Sequence, residues 1–183
     1  MARFEEENLA FDFGAAWHDT VIQFDKHRDY QNAKKLDGTK GVDFLGICRD
    51  ELYLIEVKDF RGYRIQNKPR LSNGELAIEV GQKIKDTIAC IVGAYRTSSN
   101  PDQWQPFIPL LLNQQRKIRI ILWLEQDALP QHTHGEGFAS NVLGNELKRR
   151  LKWMGVRVDV QNLSQSGIAN LDLQVTNLPT GTT

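Results

Sequence analysis

The sequence predicts an α/β fold with a mixed central sheet. Three observations carry that expectation. Gly41 to Phe60 holds two apolar runs around a polar turn, the pattern of an antiparallel hairpin. Helical periodicity follows from Ser72 to Arg96 and returns from Asn141 to Met154. A short apolar run comes after each, Ile118 to Leu124 and then Val156 to Val160. Helices alternating with strands imply a sheet with members on the two sides of crossover helices.

Taken in order, Phe11 to Phe24 reads as a first helix, with Phe13, Ala16, Trp17, Val21 and Phe24 near helical spacing. Asp25 to Lys40 is polar, with a short strand expected around Asp29 to Asn32 and a turn at Asp37-Gly38. The hairpin follows, then a basic connection from Arg61 to Arg70 containing Pro69. Ser72-Asn73-Gly74-Glu75 matches a capping box, so the second helix starts with Ser72 as its N-cap. Ala77, Gly81, Ile84, Ile88, Ile91 and Tyr95 would face its core. Thr97 to Pro109 reads as a polar loop, and Ile118 to Leu124 as a strand covered on both faces. Gln126 to Gly137 is a second loop. The third helix turns Leu143, Leu147, Leu151 and Met154 inward and stops at Gly155. Val156, Val158 and Val160 alternate as a last strand. Residues 1–162 would form one domain; 163–183 read as a tail, disordered in its last residues from Leu178.

The hairpin carries the chemistry. Asp43 lies near its start, and Leu54-Ile55-Glu56-Val57-Lys58 forms its second strand. Successive strand side chains alternate faces, so Glu56 and Lys58 point the same way. A turn centred on Asp50-Glu51 makes opposed residue numbers sum to 101. Asp43 then faces Lys58, and Asp43 and Glu56 are diagonal neighbours roughly 7–8 Å apart at the backbone, within joint reach of one cation. Charges on an apolar strand are costly unless they are paired or bind a metal. A surface salt-bridge ladder is the plainer reading of the same residues, but Leu52, Tyr53, Leu54, Ile55 and Val57 offer apolar groups to both faces, which suits a buried strand better.

Asp43 followed by Glu56-Val57-Lys58 resembles the PD-(D/E)XK nuclease superfamily, the restriction-endonuclease-like phosphodiesterases. The resemblance spans roughly residues 10–160 and implies a core in the order α-β-β-β-α-β, here with an added helix and strand. The usual proline beside the Asp is replaced by Val42. The resemblance further implies that Asp43 and Glu56, with the Val57 carbonyl, bind Mg2+ or Mn2+, and that Lys58 orients the attacking water. Members often add an acid from the first helix, for which Asp19, Asp12 and Glu7 are candidates and Asp19 is preferred. They also often place a Gln or Lys on the helix after the hairpin, here Gln82. A solvated helix face is the ordinary alternative for each of these.

The remaining chain bounds the function. It has 183 residues and a formal net charge of zero, so no bulk attraction to nucleic acid is expected. Local basic groups do occur. Arg61, Tyr63, Arg64 and Lys68 follow the Glu-X-Lys strand and are the expected substrate contacts, whereas Lys148, Arg149, Arg150 and Lys152 suit a solvated helix face. Cys48 and Cys90 form no zinc-type pair and read as small core residues of a reducing, cytoplasmic compartment. His132-Thr133-His134 lacks further ligands at zinc spacing. The acidic start and the absence of a long apolar run point away from a leader or a membrane. The expectation is a Mg-dependent nuclease acting on DNA, with a homo-oligomer possible. The alternative is an inactive module on the same fold that binds nucleic acid or a protein.

Overall fold

A computed structural model of the chain describes residues 1–127, 136–165 and 171–179; the side chains of 64, 65, 68, 136–140 and 165 are outside that description. The architecture is mixed α/β with two sheets. A five-stranded sheet runs in the order β3 (Ile22–Gln23), β4 (Phe44–Cys48), β5 (Glu51–Asp59), β6 (Ile118–Glu125), β7 (Arg157–Gln161). Its first three strands are antiparallel neighbours, whereas β5, β6 and β7 run parallel. The second sheet has three antiparallel strands in the order β1 (Ala2–Glu6), β2 (Leu9–Phe13), β8 (Leu173–Asn177).

Strand periodicity divides the core in two. Leu45, Leu52, Leu54, Ile120, Leu122, Leu124 and Val158 point to one face, where they meet the buried stripes of α3 (Glu75–Thr97) and α5 (Glu136–Leu151). Phe44, Tyr53, Ile55, Val57, Ile121 and Trp123 point to the other and meet Leu9, Phe11, Phe13, Trp17 and Leu173. The central strands are therefore covered on both sides, by helices and by the small sheet. This explains the near-continuous apolar runs of β5 and β6. Three short helices complete the helical side: α1 (Arg28–Ala33), α2 (Arg64–Ser72) and α4 (Phe107–Leu112).

Several expectations are corrected. Residues 11–24 are not a helix. They contain β2, a 3-10 turn at Ala15–Trp17 and β3. The alternation of Leu9, Phe11 and Phe13 is satisfied by pairing with β8, and Gly14 passes so close to Asp172 that a Cβ would lie 2.2 Å from that carboxyl. Residues 173–177 are accordingly a paired strand and not a loose tail. The strand expected around Asp29 to Asn32 is α1, held by the buried Tyr30 and by Asp29, which accepts from the Trp104 indole N–H at 2.8 Å. The basic connection is largely helical, and Ser72 ends α2 instead of capping α3, whose N-cap is Gly74 in the left-handed region. Tyr95 is exposed, and Ala94 takes its place in the core. The 97–109 loop contains a 3-10 turn and the start of α4, around the buried Trp104 and Phe107.

The hairpin itself is present with a shifted turn. Arg49 and Asp50, at φ 50 and 60, form the two-residue connection, and the register sums to 99, with Phe44 opposite Ile55. Two consecutive positive φ values suit the twist of a tight hairpin. Moving the turn centre by one residue slides the register by two, so every side chain keeps its predicted face. No helix among the described residues is long and apolar enough to cross a membrane.

Candidate functional site

The charged residues of the hairpin meet at the end of β5, on the helical face. Asp43 stands just before β4, and continuing the register places it level with Glu56. Its position is fixed from three sides. The Asp43 carbonyl accepts the Phe24 N–H at 2.7 Å, and its Oδ2 accepts the Val57 N–H at 2.6 Å. The Val42 N–H before it donates to the buried Thr87 hydroxyl of α3 at 3.1 Å. Gly41 lets the chain enter this corner, since a Cβ there would lie 2.7 Å from the Tyr30 ring.

Glu56 is fully buried. Its Oε1 is shared by two ammonium groups, Lys58 Nζ at 2.7 Å and Lys83 Nζ at 2.6 Å. Its Oε2 has no hydrogen-bond partner among the described residues. Lys83 also lies 3.7 Å from Asp43 Oδ1, so one ammonium stands between the two carboxylates. Lys58 extends 3.5 Å from Glu79 Oε1, and Arg70 holds the other Glu79 oxygen at 2.6 Å. Asp59 points to the opposite face, where Arg61 grips it at 2.6 Å.

Burial dominates the electrostatics. It raises the Glu56 carboxyl to about 7, with the Asp43 charge acting in the same sense against the two lysines. Asp43 is also raised, again mainly by burial, with Lys83 and the Val57 N–H opposing. Burial works against the Lys58 ammonium, yet the Glu56 carboxylate beside it, helped by Asp43 and Glu79, raises its pKa. A carboxyl held near neutrality beside a second acid in a buried corner is the kind of perturbation that clusters at functional sites.

A second acidic group adjoins Asp43. Ligand atoms of Glu6, Asp25 and Asp43 lie within 4.8 Å of one another. Glu6, at the end of β1, is held by Gln23 Nε2 at 3.1 Å and Lys26 Nζ at 3.3 Å. Burial raises Asp25 to about 6, with Glu6 and Asp43 adding to the effect, and its Oδ1 is buried without a hydrogen-bond partner. Sequence reasoning missed Glu6, Asp25 and Lys83 as site members. The visible signals were the Glu5-Glu6-Glu7 run in the first hairpin and the alternation of charges along α3; neither says which member turns inward.

The other predicted residues are placed as follows. Asp19 is exposed, in left-handed backbone. Its neighbour Thr20 bonds Ile47, so Asp19 belongs to the turn end of β4, roughly 13 Å along the strand from Asp43. The helix that was to carry it does not form. Of the three acids considered, Glu7 is within electrostatic reach of Lys58 and Asp43, while Asp12 pairs with Arg3 at 2.9 Å. Gln82 donates to the Gly38 carbonyl at 3.0 Å, one residue away from the position that enters the site, which is Lys83. Arg61 is committed to Asp59 and Asn177 on the small-sheet side. Tyr63 is exposed at the start of α2. Arg64 and Lys68 lie on α2, and their side chains are outside the described ones; so are His132 and His134. Arg149 and Arg150 pair with Glu146. An open groove of about 880 Å3 lies elsewhere, between α1 and α3, and contains none of Asp43, Glu56 or Lys58.

The donor set suits a hard divalent cation. It offers carboxylate oxygens without sulfur or imidazole, and Glu56 Oε2 accepts no hydrogen bond from the described residues. No family model and no solved structure matches the chain. Among curated proteins it is similar to the cysteine–tRNA ligase of Neisseria meningitidis serogroup A / serotype 4A (strain DSM 15465 / Z2491), 27% identical over 121 residues. That match covers 63% of this chain and 16% of the ligase.

Proposed function

We propose that the chain is a metal-dependent phosphodiesterase that hydrolyses nucleic acid, DNA in the first instance, on a restriction-endonuclease-like core. One observation carries the reading: Asp43, Glu56 and Lys58 converge at the end of β5 on a buried face, with Glu56 Oε2 lacking a hydrogen-bond partner among the described residues. The order β3-β4-β5-α3-β6 agrees with the strand-strand-strand-helix-strand part of that core. The helix that precedes it in the superfamily has no α-helical counterpart before β3, and two upstream acids, Glu6 of β1 and Asp25, have oxygens within 4.8 Å of Asp43.

Asp43 and Glu56, with the Val57 carbonyl, would hold Mg2+ or Mn2+. Bound there, the ion supplies Lewis-acid chemistry and a more acidic water. The Lys58 ammonium, fixed by Glu56 and Glu79, donates hydrogen bonds to the attacking water and to charge developing on the phosphate. Lys83 has to leave the gap between the carboxylates for a cation to enter, which its long flexible stem allows. The 27% match to one-sixth of a tRNA ligase does not extend to that enzyme's activity.

Incubation of purified protein with single-stranded, double-stranded and branched DNA in Mg2+ and Mn2+ tests the reading, with thermal melting alongside. Cleavage and a metal-dependent rise in melting temperature are expected. Absence of both moves the assignment to a second reading, a non-catalytic binding module. The Lys83 ammonium favours that second reading, because it already stands within ion-pair distance of both carboxylates.

A further inference from the structure

Helix α3 carries a second feature on its outer flank. Ile78, Gly81, Gln82 and Lys85 of α3 face Arg150 and Trp153 across a groove of about 200 Å3. Trp153 is 73% exposed, whereas Trp17, Trp104 and Trp123 are 1% exposed or less. Ile78 beside it is 50% exposed. A large aromatic ring left in water next to cations has the composition of a surface that stacks bases and holds phosphates.

The charge around the groove supports a polyanion. Lys85 and Arg150 line the groove and no carboxylate does, while the exposed Arg149 and Lys152 neighbour Arg150 and Trp153 in the chain. Asp86 lies 3.2 Å from Lys85, and Arg149 and Arg150 share Glu146. The floor is open, since a Cβ at Gly81 would meet nothing within 4 Å. The groove and the charged corner lie on two flanks of the same helix. Gln82 lines it, and the next residue, Lys83, contacts Glu56 and Asp43 on the other flank. A strand leaving that corner reaches Trp153 by crossing one helix, about 10 Å wide.

We infer that the Trp153 groove is a stacking platform for single-stranded nucleic acid, with a base on the indole and phosphates on Lys85, Arg150 and Lys152. The inference rests on the nuclease reading and commits it to a strand with unpaired bases on this side of α3. A membrane surface would call for a broad apolar stripe; here one ring and one isoleucine are framed by cations in a concavity.

The test uses the full chain in EDTA, so that nothing is cut. A fluorescein-labelled oligothymidylate, its duplex with oligodeoxyadenylate, and vesicles with and without phosphatidylserine are titrated while anisotropy and tryptophan emission are read. The oligothymidylate is expected to bind more tightly than the duplex and to quench the exposed indole. Trp153→Ala should weaken binding about tenfold at unchanged melting temperature, Trp153→Phe should restore most of it, and Lys85→Glu should flatten the salt dependence. Equal affinity of parent and Trp153→Ala, or no binding by the parent, overturns the inference. So does Trp153-dependent binding to anionic vesicles alone, or a dimer that Trp153→Ala dissolves. The two proposals fail separately: cleavage that occurs with unchanged Trp153→Ala affinity sinks the platform, while Trp153-dependent binding without cleavage in any metal sinks the hydrolase.

Discussion

The two glutamates of one strand have opposite fates. Glu51 opens β5, and Glu56 sits near its other end. Each has two cationic partners: Arg119 at 2.7 Å and Lys117 at 2.9 Å for Glu51, Lys83 and Lys58 for Glu56. Burial works to raise Glu51, but the hydrogen bonds from Arg119 and Lys117 prevail and hold it at about 2. Glu56 is raised to about 7. The number of partners therefore does not decide the shift. The Glu51 partners cover both of its oxygens at a half-open edge, with Arg119 and the Tyr53 hydroxyl on Oε2. The Glu56 partners crowd one oxygen, next to Asp43, and the other has no hydrogen-bond partner among the described residues. A satisfied carboxylate ties strands together; a buried, half-satisfied one is available for chemistry.

The comparison breaks most sharply at Glu56. Glu56→Gln should lower metal-dependent cleavage by roughly 10²–10³-fold or more and abolish metal-dependent stabilisation, while the fold persists. Glu51→Gln should leave cleavage unchanged. If both variants cut DNA equally, the chemistry lies elsewhere. Lys83→Met comes next. Removing a like charge from between the two carboxylates should tighten Mg2+ or Mn2+ by about tenfold or more, read by calorimetry or by melting at graded metal. An unchanged affinity would mean that the cation site does not include both Asp43 and Glu56.

The pH dependence has a definite sign. Glu56 and Asp25 are raised from 4.5 to about 7 and from 3.8 to about 6, and Asp43 is raised as well. A raised carboxyl binds its proton more tightly in the native state, so its contribution is complete below its unfolded pKa and is lost as pH climbs through the folded one. The lowered acids, Glu51, Asp59 and Glu79, act in the opposite sense, but below about 4.5. Melting in EDTA should therefore become less stable from about pH 4.5 to 7, and Glu56→Gln should reduce the slope. A rising profile over that window would contradict the assignment. The smallest expected effect is at the satisfied end. Tyr53→Phe removes one hydrogen bond to Glu51 and should cost about 1 kcal/mol of stability without touching cleavage.

The comparison also shows why some of the site was legible and some was not. Asp43, Glu56 and Lys58 could be placed together because strand periodicity is two. The turn is centred one residue earlier than expected, yet no side chain changed face. Lys83 was missed for the same kind of reason in reverse: on a helix, neighbouring residues turn by about 100°, so choosing Gln82 over Lys83 selects a different face. Glu6 and Asp25 could not be found locally, since they reach Asp43 through β1–β2 and β3–β4 pairing. The first helix failed because Phe13, Ala16, Trp17, Val21 and Phe24 match helical spacing while Leu9, Phe11 and Phe13 alternate at period two, and β8, far away in the chain, decided for the strand.

What the sequence by itself determined is the hairpin, its apolar faces, α3, α5 and the strands β6 and β7 that follow them, because local periodicity and turn chemistry are encoded in adjacent residues. Tertiary structure alone decided that the central sheet is capped by a second sheet on one side. It alone decided that Lys83 stands between the acids, and that Glu56 lies at 0% exposure with Oε2 lacking a hydrogen-bond partner among the described residues. Those outcomes depend on burial and on contacts between distant segments, and a carboxylate's pKa follows its surroundings and not its letter in the chain.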